Sequence, residues 1–421
     1  MKTILTFLIV FSVVVVVHEL GHFYFAKRAG ILVREFAIGM GPKLFSHQGK
    51  DGTAYTIRML PMGGYVRMAG YEEDEEMKPG TPISLLLNDE GVVTKINTSK
   101  KVQLVNAVPM EIVRYDLVDN LTITGFINGD ESQTVSYPVN HEAFIIEEDG
   151  TELRIAPREV QFQSAKLWQR VLTNFAGPLN NFILAVILFG ILVFSRGGVV
   201  DLNSTVISGV AENGPAAVAG LKAGDEITAI DGVAIENWPE MQKEIQSKPN
   251  QKISVDFSRN NEEKTVAITT DAIESQGQSF GQLGIQAPMK TGFMDKVKGA
   301  FTESIASFTQ ILSALRNIIF NFDVDQLGGP VAIFQMSSQA ASQGITTIIY
   351  LMAMISMNLG IFNLLPIPGL DGGKLILNLY EGVRGEPLSQ EKEGLITIIG
   401  FGLLMLLMII VTWNDIQRFF F

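Results

Sequence analysis

Residues 13–30 read VVVVVHELGHFYFAKRAG, which places His-Glu-Leu-Gly-His inside an apolar run. An ionised side chain such as Asp or Lys at the centre of a membrane helix costs roughly 2.5–3.5 kcal/mol on insertion scales. Ionisable residues at this depth therefore require a partner that offsets the cost. His18 and His22 are four residues apart, and residues with this spacing lie on one face of a helix. The pattern predicts a helix with a shared ligand on that face.

A zinc ion is the partner that this spacing indicates. Each histidine would supply one ring nitrogen, and Glu19 would act as the general base that accepts a proton from a water at the fourth coordination position. The motif is weak by itself, and two hydrogen-bonded core histidines are the structural alternative. The chain has four histidines and no cysteine, so any metal must be bound by His, Asp or Glu, and no disulfide can form.

A second polar motif supplies the candidate for a third ligand. Residues 358–375 read NLGIFNLLPIPGLDGGKL. Pro366 and Pro368 interrupt the helix at membrane depth, where non-helical backbone is tolerated only if it lines a cavity or is buried in protein. An aspartate in this setting is costly unless it meets a cation, so Asp371 is predicted to be the third zinc ligand. Glu35 is the next candidate.

Composition predicts a polytopic α-helical membrane protein. Of the 421 residues, 47% are hydrophobic and only 18% are charged. Four segments, approximately 3–26, 171–194, 345–365 and 394–413, are long and apolar enough to span a bilayer. The net charge of −12 and the absence of a basic stripe argue against a nucleic-acid partner.

Basic residues near the span ends predict the orientation. Lys27 and Arg28 follow the first span, and Arg170 precedes the second. Because cytoplasmic loops carry an excess of Lys and Arg, both chain termini are predicted to be extracytoplasmic. No A-x-A cleavage site follows the first apolar run, so it is interpreted as a retained helix.

The segments between the spans are predicted to be folded. Strand-like runs separated by Asn128-Gly129 and Asp149-Gly150 predict hairpins. Residues 212–235, ENGPAAVAGLKAGDEITAIDGVAI, resemble a bacterial PDZ domain, in which a peptide adds as a strand along an exposed edge. SFGQLGIQAP at 279–288 resembles its binding strand. The alternative is a PDZ domain that only blocks access. An acidic run at 72–76 is interpreted as a solvated linker.

The predicted fold class is a four-span membrane protein with a β-rich cytoplasmic insert and one extracytoplasmic PDZ domain of the α+β type. The predicted parts are a first span with His-Glu-x-x-His at 1–30, a membrane-associated β-hairpin element at 31–79, the insert at 80–163, a second span at 168–195, the PDZ domain at 201–288, amphipathic helices at 296–343, a third span with the Asn/Pro/Asp-Gly-Gly motif at 345–375, and a fourth span with the C-terminus at 394–421.

The two motifs in this order resemble the site-2 protease family of intramembrane zinc metalloproteases. The pattern N-x-x-P-x-P-x-x-D-G-G begins at Asn363, and GPLNNFILA in the second span is also similar to the family. One PDZ domain and a polar insert before the second span are most similar to the Gram-positive branch. The sequence departs from the family at Gly369, where many relatives have Ala or Val.

The resemblance implies roles for further residues. Asn358 and Asn363 would contact the substrate or stabilise the developing oxyanion, in a motif that includes Pro366 and Pro368. A re-entrant β-element would pair with the unwound substrate, and Gly63 and Gly64 would form its turn. These six residues are the expected substrate-binding set.

The function expected from this resemblance is intramembrane zinc endopeptidase activity in a bacterial cell membrane. Substrates would be single-span anchors already cut by a site-1-type protease or signal peptidase, such as anti-sigma factors, remnant signal peptides or pheromone precursors. The PDZ domain would exclude larger substrates by size. Two other hypotheses are a non-catalytic PDZ receptor and a metal transporter. The receptor needs neither Glu19 nor Asp371, and the transporter would need more polar residues along the spans.

Overall fold

The computed structural model describes residues 2–70, 77–275, 278–321, 328–386 and 388–420. The acidic run at 72–76 lies outside the described residues. The helices are α1 Lys2–Arg28, α2 Leu167–Ser195, α3 Pro215–Val218, α4 Trp238–Gln246, α5 Phe293–Asn321, α6 Pro330–Gln343, α7 Ile345–Asn363, α8 Asp371–Arg384 and α9 Gln390–Phe420.

The strands are β1 Val33–Gln48, β2 Ala54–Met68, β3 Pro82–Leu87, β4 Val93–Asn97, β5 Val108–Asp116, β6 Thr122–Ile127, β7 Asp130–Ile146, β8 Glu152–Arg154, β9 Val199–Val200, β10 Gly209–Val210, β11 Glu226–Ile230, β12 Val233–Ala234, β13 Lys252–Arg259, β14 Glu262–Thr269, β15 Asp271–Ser275, β16 Gln278–Gln282, β17 Ile285–Gln286 and β18 Met289–Lys290.

Four helices of the described chain are long and apolar enough to cross a membrane, over Lys2–Arg28, Leu167–Ser195, Ile345–Asn363 and Glu391–Arg418. The four apolar segments of the sequence fall on these helices. The third predicted span ends two residues earlier than expected, because α7 stops at Asn363 ahead of the two prolines. The chain divides into two compact units, residues 1–188 with 304–421 and residues 189–303.

In the first unit, β1 and β2 form the β-element, an antiparallel pair in which residues 35–38 lie beside both 64–67 and 54–57. This double pairing requires both strands to bend. Gly39, Gly41 and Gly63 have positive φ angles of 89°, 81° and 85°, which glycine adopts at little cost. The expected turn at Gly63 and Gly64 therefore lies within one long strand rather than between two separate strands.

The insert is a six-stranded sheet of order β4-β3-β5-β6-β7-β8 with an additional parallel pairing between β4 and β7. This pairing closes the sheet around a hydrophobic core that includes Leu85, Ile96 and Ile123. Asn128 and Gly129 join β6 to β7 with positive φ angles of 53° and 77°, as a two-residue hairpin turn requires.

The second unit contains a four-stranded sheet of order β12-β11-β13-β14 that shares a core with α4. Asn237 caps α4 by accepting a hydrogen bond from the backbone of Glu240 at 3.0 Å.

A groove of about 460 Å³ lies between α4 and residues 280–285 of the second unit. Burial acts to raise the pKa of Asp225, but hydrogen bonds and the charge of Arg259 hold that pKa below its usual value.

Candidate metal centre

Two histidine side chains of α1 and the aspartate at the start of α8 meet in the first unit. Nε2 of His18 lies 3.2 Å from Oδ2 of Asp371, and Nε2 of His22 lies 3.3 Å from the same oxygen. The two Nε2 atoms are 3.2 Å apart. The side chains are 8%, 9% and 13% exposed, so the cluster is nearly closed to solvent. Among the described residues, these three form the group that could hold a metal ion.

The distances between these atoms fit a zinc site. In a tetrahedral site with bonds of about 2.0–2.2 Å, neighbouring ligand atoms stand about 3.3–3.6 Å apart. One observed separation, 3.3 Å, equals the lower limit of that range, and the other two, 3.2 Å each, lie just below it. Oδ2 of Asp371 is also buried without a hydrogen-bond partner among the described residues. A buried carboxylate oxygen without a donor is costly, and a cation between the three atoms removes that cost.

The backbone of α2 sets the orientation of His22. Nδ1 of His22 lies 2.7 Å from the carbonyl oxygen of Thr173. A carbonyl only accepts hydrogen bonds, so Nδ1 carries the proton, and Nε2 of a neutral ring presents its lone pair. That lone pair faces Oδ2 of Asp371, which is a second electron-rich atom. With the ring neutral, the two atoms repel each other unless a cation lies between them, and a metal ion shared with Nε2 of His18 would bind all three atoms.

Small residues allow α1 and α2 to approach each other at the centre. A Cβ added at Gly21 would stand 2.3 Å from the carbonyl oxygen of Ala176. A Cβ added at Gly177 would stand 2.3 Å from Nε2 of His22 and 2.7 Å from Cε1 of His18. Side chains at either position would occupy the space of the other helix or of the imidazole rings. Small residues at such crossings are typical of membrane helix pairs.

The Asp-Gly-Gly sequence places Asp371 at the start of α8. A Cβ at Gly372 would stand 2.2 Å from the carbonyl oxygen of Leu365, and one at Gly373 would stand 2.4 Å from that of Ile367. The loop between α7 and α8 therefore packs directly on the first turn of α8. Pro366 and Pro368 lie in this loop, as the sequence predicts. Gly369 has a φ of 91°, so glycine suits this position better than Ala or Val.

Glu19 lies one residue from His18 on α1 and faces the β-element. A Cβ added at Gly64 would stand 3.7 Å from Cγ of Glu19 and 2.7 Å from the carbonyl oxygen of Ala37. The backbone of β2 therefore passes beside the glutamate at a position without room for a side chain. The structure thus brings Glu19 and Gly64 together.

Glu35, the other candidate ligand, belongs to a separate network within the β-element. Its carboxylate accepts hydrogen bonds from Thr56 at 2.5 Å, Arg58 at 2.6 Å and Tyr65 at 2.8 Å. Asn358 and Asn363 both lie on α7, where they are partly buried, and Asn363 is the last residue of that helix.

The sequence interpretation missed the contribution of α2. Thr173, Gly177 and Asn181 lie against the histidine rings but carry no formal charge. The available signal was GPLNN, because two asparagines within an apolar span are unusual unless they have buried partners. Asn180 donates a hydrogen bond to the carbonyl of Val17 at 3.0 Å.

Comparison with known proteins gives a family for this arrangement. Residues 6–407 match the model described as peptidase family M50. The chain belongs to peptidase family M50. This M50 chain is 56% identical over 422 residues to the probable protease eep of Enterococcus faecalis, with the whole of both chains covered. It is 49% identical over 427 residues to a putative zinc metalloprotease of Streptococcus pyogenes serotype M6, again over both full lengths.

These relationships make the M50 chain a zinc metalloprotease of the site-2 type, with helices that fit a bacterial membrane protein. They do not support the hypotheses of a non-catalytic receptor or a metal transporter. Among solved structures, the PDZ domain of the SdrC-like protein from Listeria monocytogenes is 28% identical over 20% of this chain and 87% of that chain. Its TM-score of 0.18 is too low to support an inference.

Proposed function

We propose that this M50 zinc metalloprotease is an endopeptidase that cuts within the membrane, with His18, His22 and Asp371 as metal ligands and Glu19 as general base. The observation that best supports this assignment is the triangle of ligand atoms 3.2–3.3 Å apart around a carboxylate oxygen without a donor. When bound, zinc supplies a Lewis acid that acidifies water and polarises a peptide carbonyl.

In this proposal, Glu19 transfers the proton of the attacking water, and the two histidines hold the metal. Glu19 is the neighbour of a ligand on α1, so its carboxylate is placed to take a proton from the attacking water and to return it to the leaving amine. His22 would hold the metal through Nε2, because its Nδ1 proton is engaged by the Thr173 carbonyl. Nε2 of His18 lies 3.2 Å from Nε2 of His22 and would be the second nitrogen ligand. The low exposure of the cluster excludes bulk water and strengthens these electrostatic interactions.

A transmembrane substrate must lose its helix before cleavage, because helical carbonyls are already engaged in internal hydrogen bonds. The β-element offers backbone groups for an extended substrate, and Gly64 lies beside Glu19. In this proposal, Gly63 and Gly64 shape the strand edge. Asn358 and Asn363 contact the substrate or stabilise the oxyanion, next to the loop that contains Pro366 and Pro368.

The proposed substrates are single-span anchors that remain after a first cleavage, including anti-sigma factors, remnant signal peptides and pheromone precursors. The first cut would come from a site-1-type protease or signal peptidase. The PDZ segment, residues 201–288, would act as a size filter that admits trimmed substrates. Its groove beside α4 supports the other possibility of peptide capture.

The proposed orientation places both termini and the PDZ segment outside the cell and the insert in the cytoplasm. It rests on Lys27 and Arg28 at the end of α1 and on Arg170 at the start of α2. A reporter tag inserted at 72–76 should be protected from an external protease, whereas a tag in the PDZ segment should be cleaved. If the external protease cleaves both tags or neither tag in intact cells, this orientation is wrong.

Paired substitutions test the catalytic assignment. Glu19→Gln keeps the size of the side chain but removes the base, so zinc should remain bound while cleavage falls by several orders of magnitude. Asp371→Ala removes one of three protein ligands, so zinc and activity should both be lost or strongly reduced. Metal analysis of the purified proteins and cleavage of a trimmed single-span substrate give the two readings.

The two variants fail in different ways if the assignment is wrong. Near-parental cleavage by Glu19→Gln would remove Glu19 as the base. Full zinc content in Asp371→Ala would move the third ligand elsewhere. Glu35→Gln is the control for the alternative ligand. It should keep its zinc, since the hydrogen bonds of Glu35 lie within the β-element.

A further inference from the structure

The second ring nitrogen of His18 faces α2. Nδ1 of His18 lies 3.2 Å from Nδ2 of Asn181, and both residues are buried. His22 has a matching contact, from its Nδ1 to the carbonyl of Thr173. Each proposed histidine ligand therefore meets α2 through the nitrogen that faces away from Asp371.

If His18 binds a metal through Nε2, its Nδ1 requires a hydrogen-bond acceptor. A neutral imidazole has one protonated nitrogen and one lone pair, so a ring that gives its Nε2 lone pair to a metal carries its proton on Nδ1. A buried N–H without an acceptor is destabilising because it has lost its hydrogen bond to water. His22 meets this requirement through a carbonyl, and the corresponding polar group for His18 is the amide of Asn181.

The amide of Asn181 can present either of its ends to the ring. In the structure, Nδ2 points at Nδ1 of His18, and Oδ1 is buried without a hydrogen-bond partner among the described residues. The two ends of an amide have nearly the same shape, and their assignment follows from the hydrogen-bond network. A rotation of 180° about the last side-chain bond places Oδ1 against Nδ1 of His18 and puts Nδ2 where Oδ1 lay.

We infer that Asn181 is a positioning residue whose Oδ1 accepts a hydrogen bond from Nδ1–H of His18 when the metal is bound. This inference rests on the ligand set of the proposed function. The hydrogen bond selects the tautomer that frees Nε2 and fixes the rotation of the ring. Partners of this kind orient metal-binding histidines, and their loss typically weakens metal affinity by about 10–100-fold.

The surroundings of Asn181 are suited to this role. The residue is fully buried, with 0% of its surface exposed. Its backbone carbonyl accepts a hydrogen bond from Ser356 on α7 at 2.8 Å, which ties this point of α2 to a second helix. Its neighbour Asn180 donates to the carbonyl of Val17 on α1. The amide is therefore held where three helices meet, and little movement is available to compensate for its loss.

Two substitutions test whether the side chain at position 181 acts on His18 as a hydrogen-bond acceptor. A carboxylate can only accept from an N–H, so Asn181→Asp should keep zinc affinity within a few-fold of the parent. Asn181→Leu has a similar volume and no acceptor, so it should weaken zinc binding by about 10–100-fold. The measurement is chelator competition for zinc on the full-length protein in detergent, and it needs no substrate.

Asn180→Leu is the matched control. It removes a partly buried asparagine hydrogen bond between the same two helices, and this bond goes to Val17 rather than to His18. Its zinc affinity should equal that of the parent, and the thermal midpoint of its metal-free form should fall about as much as that of Asn181→Leu. An equal loss of zinc affinity in both leucine variants would show that the role of Asn181 is only structural.

The outcomes distinguish this inference from the proposed ligand set. Parental affinity in Asn181→Leu overturns the inference, and so does a loss of zinc in Asn181→Asp as large as that in Asn181→Leu. Neither result affects the ligands if Asp371→Ala still loses zinc in the same assay. Retention of zinc by Asp371→Ala would instead overturn the ligand set itself.

Discussion

Gly21 and Gly177 leave the space in which α1, α2 and the two histidine rings approach each other. At both positions an added Cβ would stand 2.3 Å from an atom of the neighbouring helix or ring. These contacts are with backbone at Gly21 and with a proposed ligand at Gly177. A single methyl group at Gly177 would push the imidazoles away from Asp371.

Gly177→Ala should therefore abolish high-affinity zinc binding, because the rings cannot keep contacts of 3.2–3.3 Å with Asp371. Gly190→Ala on the same helix is the control, since its Cβ would meet the Cβ of Ala300 at an ordinary 3.6 Å. Zinc content of the purified proteins measures the effect. Normal zinc in Gly177→Ala would show that the helices separate more easily than this packing indicates.

The ligand candidates were predictable from the sequence because charge in an apolar segment is conspicuous. His18, His22 and Asp371 stand out for this reason, and the structure brings all three together. Thr173 acts through its backbone carbonyl, so its side-chain type carries no signal for the contact with His22. Gly177 could not be assigned because the sequence does not state which helix crosses α1 or at which residue.

At the scale of elements, α8 is attached to α2 by an ion pair between the buried Arg170 and the partly buried Glu381. Nη1 of Arg170 donates to Glu381 at 2.9 Å, and Nη2 makes a second contact with the same carboxylate. The side chains are 9% and 15% exposed. Asp371 begins the helix that Glu381 anchors, so the pair fixes the proposed third ligand relative to α2.

Removing one partner of a buried pair leaves an uncompensated charge, which typically costs about 3–5 kcal/mol. Glu381→Ala should therefore lower the thermal midpoint of the purified protein markedly and reduce zinc retention. Replacing both residues, as Arg170→Met with Glu381→Leu, should recover most of the stability because no charge remains buried. A double variant no more stable than Glu381→Ala would contradict this account.

Local sequence signals predicted the elements better than their pairing. Apolar length identified the four helices that could span a membrane, and Asn128-Gly129 identified the β6–β7 turn. The closure of the insert by β4 and β7 was not predictable, since a parallel pair between distant strands leaves no local pattern. The bends of β1 and β2 were also missed, because their glycines indicate flexibility without indicating which residues pair.

At the scale of the whole molecule, the second unit has a hydrophobic core of its own. The buried cluster runs from Ile207 to Leu283 and includes Trp238 of α4. The two ends of the PDZ segment are neighbours, because Asp201 donates a backbone hydrogen bond to Pro288 at 2.8 Å. The segment can therefore be removed and its ends joined by a short linker.

A protein that lacks residues 203–288 should still bind zinc and cut a trimmed substrate, because the candidate centre lies in the first unit. If the PDZ segment is a size filter, this protein should also cut substrates whose outer domain is intact. Cleavage of trimmed and untrimmed versions of one substrate provides the comparison. Failure to cut the untrimmed version while the trimmed one is cut would remove the filter hypothesis.

The chain distance between the two parts of the candidate centre has a consequence for biosynthesis. His18 and His22 are on the first helix, whereas Asp371 begins the eighth. During translation, the ribosome delivers the histidines early and the aspartate only when most of the protein has been made. With the proposed ligands, an interrupted translation product holds an incomplete zinc site. Under this assignment, a product that ends before α8 would lack the third ligand and therefore the hydrolytic activity.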